Sequence, residues 1–247
     1  MSENNLSPLL IAVFALFVSV NATIPDYIHT CKRTDPKIEE CVINSLKNLR
    51  PQLTKGIPEF EMPSIDPLKM PHINLNLGPG FKAEGEDLLI SGAKDFEIQN
   101  LVVNLKEDII IIDLFIKKLI ARGIYEIDGK IASIPLKGTG PLFLSGDTVT
   151  VHVVLHGKKV NKNGQLRYYF PSMDLKLNIV DYDLKLEGIG GGDPTLGKVT
   201  NQVLKDEKAS IKQTLVPAIE KSLSEYLLNA ANNICKHFTY DELFPAS

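Results

Sequence analysis

The longest regular pattern in the sequence is an alternation of apolar and polar side chains between Phe81 and Gly188. It is clearest in four stretches, at residues 125–131, 148–155, 173–179 and 181–187. A period of two is typical of β-strands with one apolar and one solvated face. We predict turns between successive strands at Arg122-Gly123, Lys137–Gly140, Ser145–Asp147 and Asn161–Gly164. No helical pattern intervenes, so the region is predicted to be an antiparallel meander.

Two helical patterns bracket this sheet region. The first begins at Asp35-Pro36 and ends at Gly56. The second is the longest in the chain, and its apolar positions repeat every three or four residues, at Ile211, Leu215, Ile219, Leu223, Leu227, Ala230 and Ile234. A helix over residues 206–236 would be about 45 Å long, with a kink at Pro217. Residues 57–80 carry five prolines and are predicted to be an extended surface strap.

The apolar face of the sheet must be covered, and the last helix is the only predicted element long enough to cover it. We therefore predict an α+β fold in which a strongly curved antiparallel sheet wraps the long C-terminal helix, with an N-terminal helix in addition. Such a roll encloses a narrow apolar tunnel that suits an elongated hydrophobic molecule.

The tunnel wall is predicted from inward-facing positions. On the strands these are Tyr125, Ile127, Val151, Val153, Met173, Leu175, Leu177 and Tyr182, and on the helix Leu215, Ile219, Leu223 and Tyr226. Methionine adapts to irregular shapes, and a buried tyrosine hydroxyl is able to bond the polar end of a ligand.

The N-terminal segment is typical of a secretory signal. Residues 9–20 form an uncharged apolar run that is too short to span a membrane, and Ala22 ends a small-residue cleavage site. We predict a signal peptide over residues 1–22 and a single secreted domain over 23–247. No later run is long enough for stable membrane insertion. The net charge is −3, so the chain has no excess of positive side chains to neutralise the phosphates of a nucleic acid, and we predict no nucleic-acid partner.

The cysteines agree with export. Cys31 and Cys41 lie ten residues apart, and an oxidising compartment favours pairing these neighbours. Cys235 is predicted to be a buried, inert thiol. No Cys/His cluster has zinc-ligand spacing, so no metal site is predicted.

Motifs for catalysis are incomplete. Gly192–Lys198 matches the spacing of a phosphate-binding loop, but Val199 stands where the magnesium-binding hydroxyl is needed, which favours a Gly-rich entry to a helix. His152 and His156 lie in a strand, about 13 Å apart. No nucleophile with a base is evident. We predict no cofactor and no enzymatic activity, with an ester hydrolase as a remote alternative.

Several segments follow one another in a fixed order along the chain. They are Cys31 and Cys41 around a Pro-acidic segment, Gly56-Ile57-Pro58, Pro63–Leu68, Ile124–Lys130, Gly138-Thr139-Gly140, and Leu184–Glu187 before a Gly-Asp-Pro loop and a long last helix. This ordered set resembles one insect family, that of the Takeout and haemolymph juvenile-hormone-binding proteins. The resemblance covers essentially all of residues 23–247. It implies a secreted, non-enzymatic carrier with the lipid-binding roll of the TULIP superfamily, linked to feeding, clock output or chemosensation. A lone Cys235 cannot supply the second disulfide of the hormone carriers, so the chain is closer to the Takeout branch.

The predicted function is therefore a monomeric carrier, in haemolymph or another extracellular fluid, of a terpenoid, fatty acid or related lipid. The alternative is a secreted interaction module with a packed interior that acts through a receptor protein.

Overall fold

The computed structural model describes residues 24–75, 77–78, 80–131 and 134–246, so the predicted signal peptide lies outside the described residues. The helices are α1 (Ile38–Lys55), α2 (Pro194–Asp206), α3 (Lys208–Cys235) and α4 (Tyr240–Leu243). The strands are β1 (Leu68–Asn74), β2 (Lys82–Ser91), β3 (Glu97–Asn104), β4 (Ile109–Ile131), β5 (Ile134–Lys162) and β6 (Gln165–Leu186). Short 3₁₀ turns occur at Pro58–Phe60 and Ala93–Asp95.

All six strands form one antiparallel sheet in the order β1-β2-β4-β5-β6. β3 pairs with the first part of β4, and β2 pairs with its later part, so both lie on the same edge of β4. This curved sheet with its C-terminal and N-terminal helices confirms the predicted α+β fold.

Three of the four predicted turns are wrong. Arg122-Gly123, Lys137–Gly140 and Ser145–Asp147 lie inside the long strands β4 and β5, and only Asn161–Gly164 is a turn. The glycines reflect close backbone approach instead, because a Cβ on Gly138 would lie 2.7 Å from the carbonyl oxygen of Gly188. These glycines therefore let other segments pack against the long strands.

The prediction of a surface strap over residues 57–80 is also wrong in part. Its second half is β1, which pairs with β2 from Leu68 to Asn74. β1 is an edge strand, where the missing N–H of Pro71 does not break the sheet.

Helix α3 lies in the gap between the two edges of the curved sheet. On the β1 side, the Tyr226 hydroxyl donates to the Lys69 carbonyl oxygen at 2.8 Å. The Ser222 hydroxyl donates to the Asn74 carbonyl oxygen at 3.4 Å. Side chains of α3 thus bond to backbone acceptors on this edge.

The β6 edge is bonded to α3 in the same way. The side-chain amide of Asn232 accepts from the Phe170 N–H and donates to the Phe170 carbonyl, both at 2.8 Å. The buried Glu220 carboxylate accepts from the Leu177 N–H at 2.8 Å and pairs with Lys176 at 2.9 Å. Helix α3 therefore connects both edges and closes the roll.

Replacing Asn232 by alanine is expected to lower the free energy of unfolding by about 1–3 kcal/mol, because two part-buried backbone groups of Phe170 lose their partner. Urea denaturation measures the loss. Asn229→Ala, at an exposed position on the same helix, is the control and should change stability by less than about 0.5 kcal/mol. Equal effects of the two substitutions would show that the Asn232 bonds do not hold the edge.

Helix α1 packs against β3 on the face of the sheet that also carries the interior residues Val153 and Leu155. Its buried Ile38 contacts Leu101 and Val103 of β3. The disulfide between Cys31 and Cys41 is present and belongs to the same cluster. It closes a short loop, which is worth about 2.5–3 kcal/mol in the chain-entropy model, so it fastens the N-terminal segment to α1.

Candidate ligand-binding cavity

A cavity of about 200 Å³ lies between the N-terminal half of α3 and the inner face of the sheet. Its wall is aliphatic apart from two tyrosines and three charged residues. Typical members are Met70, Leu88, Leu142, Ile179, Leu215 and Ile219. Every strand except β3 contributes, so the cavity depends on the closed roll.

The alternation on the strands explains why these side chains point inward. Tyr125 and Ile127 of β4 are buried, whereas Glu126 between them is exposed. On α3, Leu215, Ile219 and Leu223 recur every four residues and form one stripe along the cavity. The inward-facing residues of the strands and the apolar stripe of α3 therefore border the same cavity.

Six of the twelve predicted wall residues line this cavity: Tyr125, Ile127, Tyr182, Leu215, Ile219 and Leu223. Five others lie in a packed cluster farther along the roll: Val151, Val153, Met173, Leu175 and Leu177. Buried Tyr168 and Phe170 belong to that cluster, with their ring centroids 5.3 Å apart. Tyr226 lies at the β1 edge instead, against Met70 and Leu88. The open space therefore occupies one part of the interior, and aromatic and aliphatic side chains fill the other.

The two tyrosine hydroxyls at the wall already have partners. Tyr125 donates to the Glu187 carbonyl oxygen, and Tyr182 to that of Lys208, both at 2.9 Å. Burial raises the pKa of both hydroxyls to about 12, so both remain donors at neutral pH. The hydroxyl oxygens keep acceptor lone pairs, and the use of tyrosine to bond a ligand's polar end stays a prediction.

The charged residues at the wall are also engaged. Glu84 and Glu126 form ion pairs with the exposed Lys82, at 3.4 and 2.8 Å. The Lys212 ammonium donates to the Ile179 carbonyl oxygen at 2.8 Å. Each of the five polar side chains at the wall thus has a protein partner, and the cavity favours apolar contents.

Sequence reasoning missed the contribution of β1 and β2. Met70 and Ile73 of β1 and Leu88 of β2 all line the cavity. The signal was present, because buried Leu68 and Met70 alternate with exposed Lys69 and Pro71. The density of prolines obscured it.

The phosphate-loop match proves to be a helix start. The Asp193 carboxylate accepts from the N–H groups of Thr195 and Leu196, at 2.7 and 2.9 Å, and caps α2. A carboxylate therefore occupies the position that a phosphate would need.

Cys235 and the histidine pair have ordinary roles. Cys235 is buried in the packed cluster, and burial raises the pKa of its thiol to about 12, so the thiol stays protonated. His152 and His156 contact separate carboxylates, those of Asp113 and Asp174, at 2.6 and 3.0 Å. Over the described ranges, no group of three or more His, Cys, Asp or Glu residues is placed to hold a metal ion.

Comparison with known proteins identifies the family. The family model of the haemolymph juvenile hormone binding protein matches residues 9–245. The chain belongs to the haemolymph juvenile hormone binding protein family. This is a family of proteins that bind lipophilic ligands.

Relatives and a solved structure agree with membership of this family. A putative beta-carotene-binding protein of Schistocerca gregaria is 29% identical over 221 residues, or 88% of each chain. The circadian clock-controlled protein daywake of Drosophila yakuba is 22% identical and covers 93% of this chain and 91% of its own. The crystal structure of Takeout 1 from Epiphyas postvittana has a TM-score of 0.74 at 16% identity, covering 87% of this chain and 99% of that one, and shares the fold.

Within the part of the chain that the structure describes, no helix is both long and apolar enough to cross a bilayer.

Proposed function

We propose that the protein is a secreted carrier of a small hydrophobic molecule whose apolar part occupies the cavity. The observation that carries this proposal is the wall itself, which is aliphatic and whose polar side chains all have protein partners. A ligand with a buried carboxylate would have to compete for side chains that already have protein partners and would lose its bonds to water.

Burial of hydrocarbon supplies enough free energy for useful affinity. At about 0.8 kcal/mol per methylene, a chain of about fifteen carbons has roughly 12 kcal/mol of gross transfer energy. After the costs of ordering, micromolar to nanomolar binding remains. The Schistocerca relative is named for binding a carotenoid hydrocarbon, which agrees with a terpenoid ligand without a recognised head group.

Residues at the cavity give no support to hydrolysis. Among the described residues that line the cavity, none is Ser, Thr, Cys or His, so no nucleophile meets a base among them. This favours a carrier over an ester hydrolase.

The test compares three probes with one terpenoid skeleton, farnesene, farnesol and farnesoic acid, by native mass spectrometry and thermal shift of the purified protein. We expect farnesene and farnesol to bind and to raise the melting temperature, and farnesoate to bind more weakly. Rejection of all three probes would overturn the proposal and favour an interaction module. Preference for the carboxylate would contradict the apolar site.

A further inference from the structure

The hairpin that joins β5 to β6 is basic in a chain whose net charge is −3. Residues 148–173 contain no Asp or Glu but include Lys158, Lys159, Lys162 and Arg167. Lys159 points toward the core and forms an ion pair with Asp108. The other three cations form no ion pair within the residues that the structure describes.

The sheet register places these three cations on one face. Lys158, Val160 and Lys162 are two residues apart on β5, and Val160 lies opposite Arg167 of β6. Directly opposed residues of antiparallel strands point to the same side. Lys158, Lys162 and Arg167 therefore share a face of the hairpin.

Beside this face is a groove of about 470 Å³ between the hairpin and the C-terminal turns of α3. Its charged residues are Lys162, Arg167 and Lys236, and no carboxylate lines it. Lys236 forms an ion pair with the exposed Glu61 at 2.8 Å. The groove is therefore a region of positive potential.

Neutral groups hold the Arg167 guanidinium in place. It donates to the Gln165 side-chain oxygen at 2.6 Å and to the Lys236 carbonyl oxygen at 3.4 Å. Because neither partner is ionised, the guanidinium keeps its full charge for an external anion. Val160, opposite Arg167, lies on the same face and lines the groove, so an apolar side chain stands between the two lysines.

We propose that this hairpin face and groove form a docking surface for anionic phospholipid membranes. The cations bind the phosphate head groups, each worth about 1 kcal/mol near an anionic surface. The surface lies at the opposite end of β6 from the cavity residues Ile179 and Tyr182, so docking does not require cargo.

The test is flotation of the full secreted chain with phosphatidylcholine vesicles that contain or lack phosphatidylglycerol, without added ligand. We expect binding only to the anionic vesicles, with loss at high salt. Each neutralised cation should weaken binding about fivefold, so Lys162→Gln with Arg167→Gln should weaken it about 25-fold. If the double variant folds poorly, Lys162→Gln alone tests the same point, because this side chain is exposed. It should weaken vesicle binding about fivefold.

The matched control is Lys198→Gln with Lys205→Gln, which removes the same charge from α2 at the other end of β6. It should change vesicle binding by less than about twofold, because those lysines lie away from the hairpin. Binding to phosphatidylcholine alone, or an equal loss in the control, would overturn the proposal. Retention on heparin without vesicle binding would overturn it in favour of a sulfated glycan.

Farnesene binding distinguishes this proposal from the carrier function. The hairpin variants should bind farnesene as the unmodified chain does, because they lie outside the cavity wall. Loss of vesicle binding with farnesene binding intact is the expected pattern.

Discussion

Replacing Ala83 by phenylalanine is expected to weaken binding of farnesene by about a hundredfold or more. Ala83 is a buried residue of β2 at the cavity wall, and a phenyl ring there takes space that the ligand needs. Excluding about four methylene groups of the ligand removes about 3 kcal/mol of burial, and every 1.4 kcal/mol is tenfold in affinity. Titration followed by native mass spectrometry measures the change.

Two further variants make this result interpretable. Ala121→Phe fills the same cavity from β4 and should give a similar loss, which guards against misfolding of one variant. Ala209→Phe adds the same ring at an exposed position of α3 outside the wall and should leave affinity unchanged. If the cavity-filling variants bind farnesene as tightly as the unmodified chain, the ligand lies elsewhere.

Phe238→Ala should be the most destabilising of the substitutions considered, lowering the free energy of unfolding by about 3–5 kcal/mol. Phe238 is 1% exposed, and its ring lies edge-on to Phe60 at 5.2 Å between centroids. The same cluster contains Leu53 at the end of α1 and Ile57. Truncation leaves a cavity where the C-terminal segment meets the N-terminal one.

Chemical denaturation of purified protein measures this loss, with Phe143→Ala as the matched control. Phe143 is half-buried on the outer face of β5, under the guanidinium of Arg122. Its truncation should cost less than about 1.5 kcal/mol, because solvent fills the space. Similar costs for the two phenylalanines would show that the two terminal segments are not joined through Phe238.

The sequence was sufficient for the curved antiparallel sheet as a whole and for the last helix, because each has a long periodic pattern. Alternation predicted strands within β4, β5 and β6 but divided β4 and β5 at three turns that the structure does not have. The apolar repeat predicted α3 closely, at 206–236 against Lys208–Cys235. Helix α2 was predicted only as a Gly-rich entry to a helix at Gly192–Lys198, without its bounds. Leu204 is buried, but Leu196 and Val199 are more than half exposed.

The boundaries of the cavity were beyond sequence reasoning. Alternation tells which side chains face inward, but it does not tell which of them meet empty space. Leu175 and Tyr182 are both inward residues of β6, yet Leu175 packs in a cluster with Tyr168 and Phe170, whereas Tyr182 borders the cavity. That difference arises because the rings of Tyr168 and Phe170 fill the interior beside Leu175, and their position depends on tertiary packing.

The placement of α3 has a consequence for self-association. An unpaired strand as long as β6, with 22 residues, would present a row of free N–H and C=O groups to another molecule. Such groups along β6 are bonded by the side chains of Asn201, Glu220 and Asn232. Helix α3 itself also blocks the approach of a β-strand from another molecule. Polymerisation through this side of the sheet therefore requires the helix to detach first, which would keep the folded protein dispersed at high concentration.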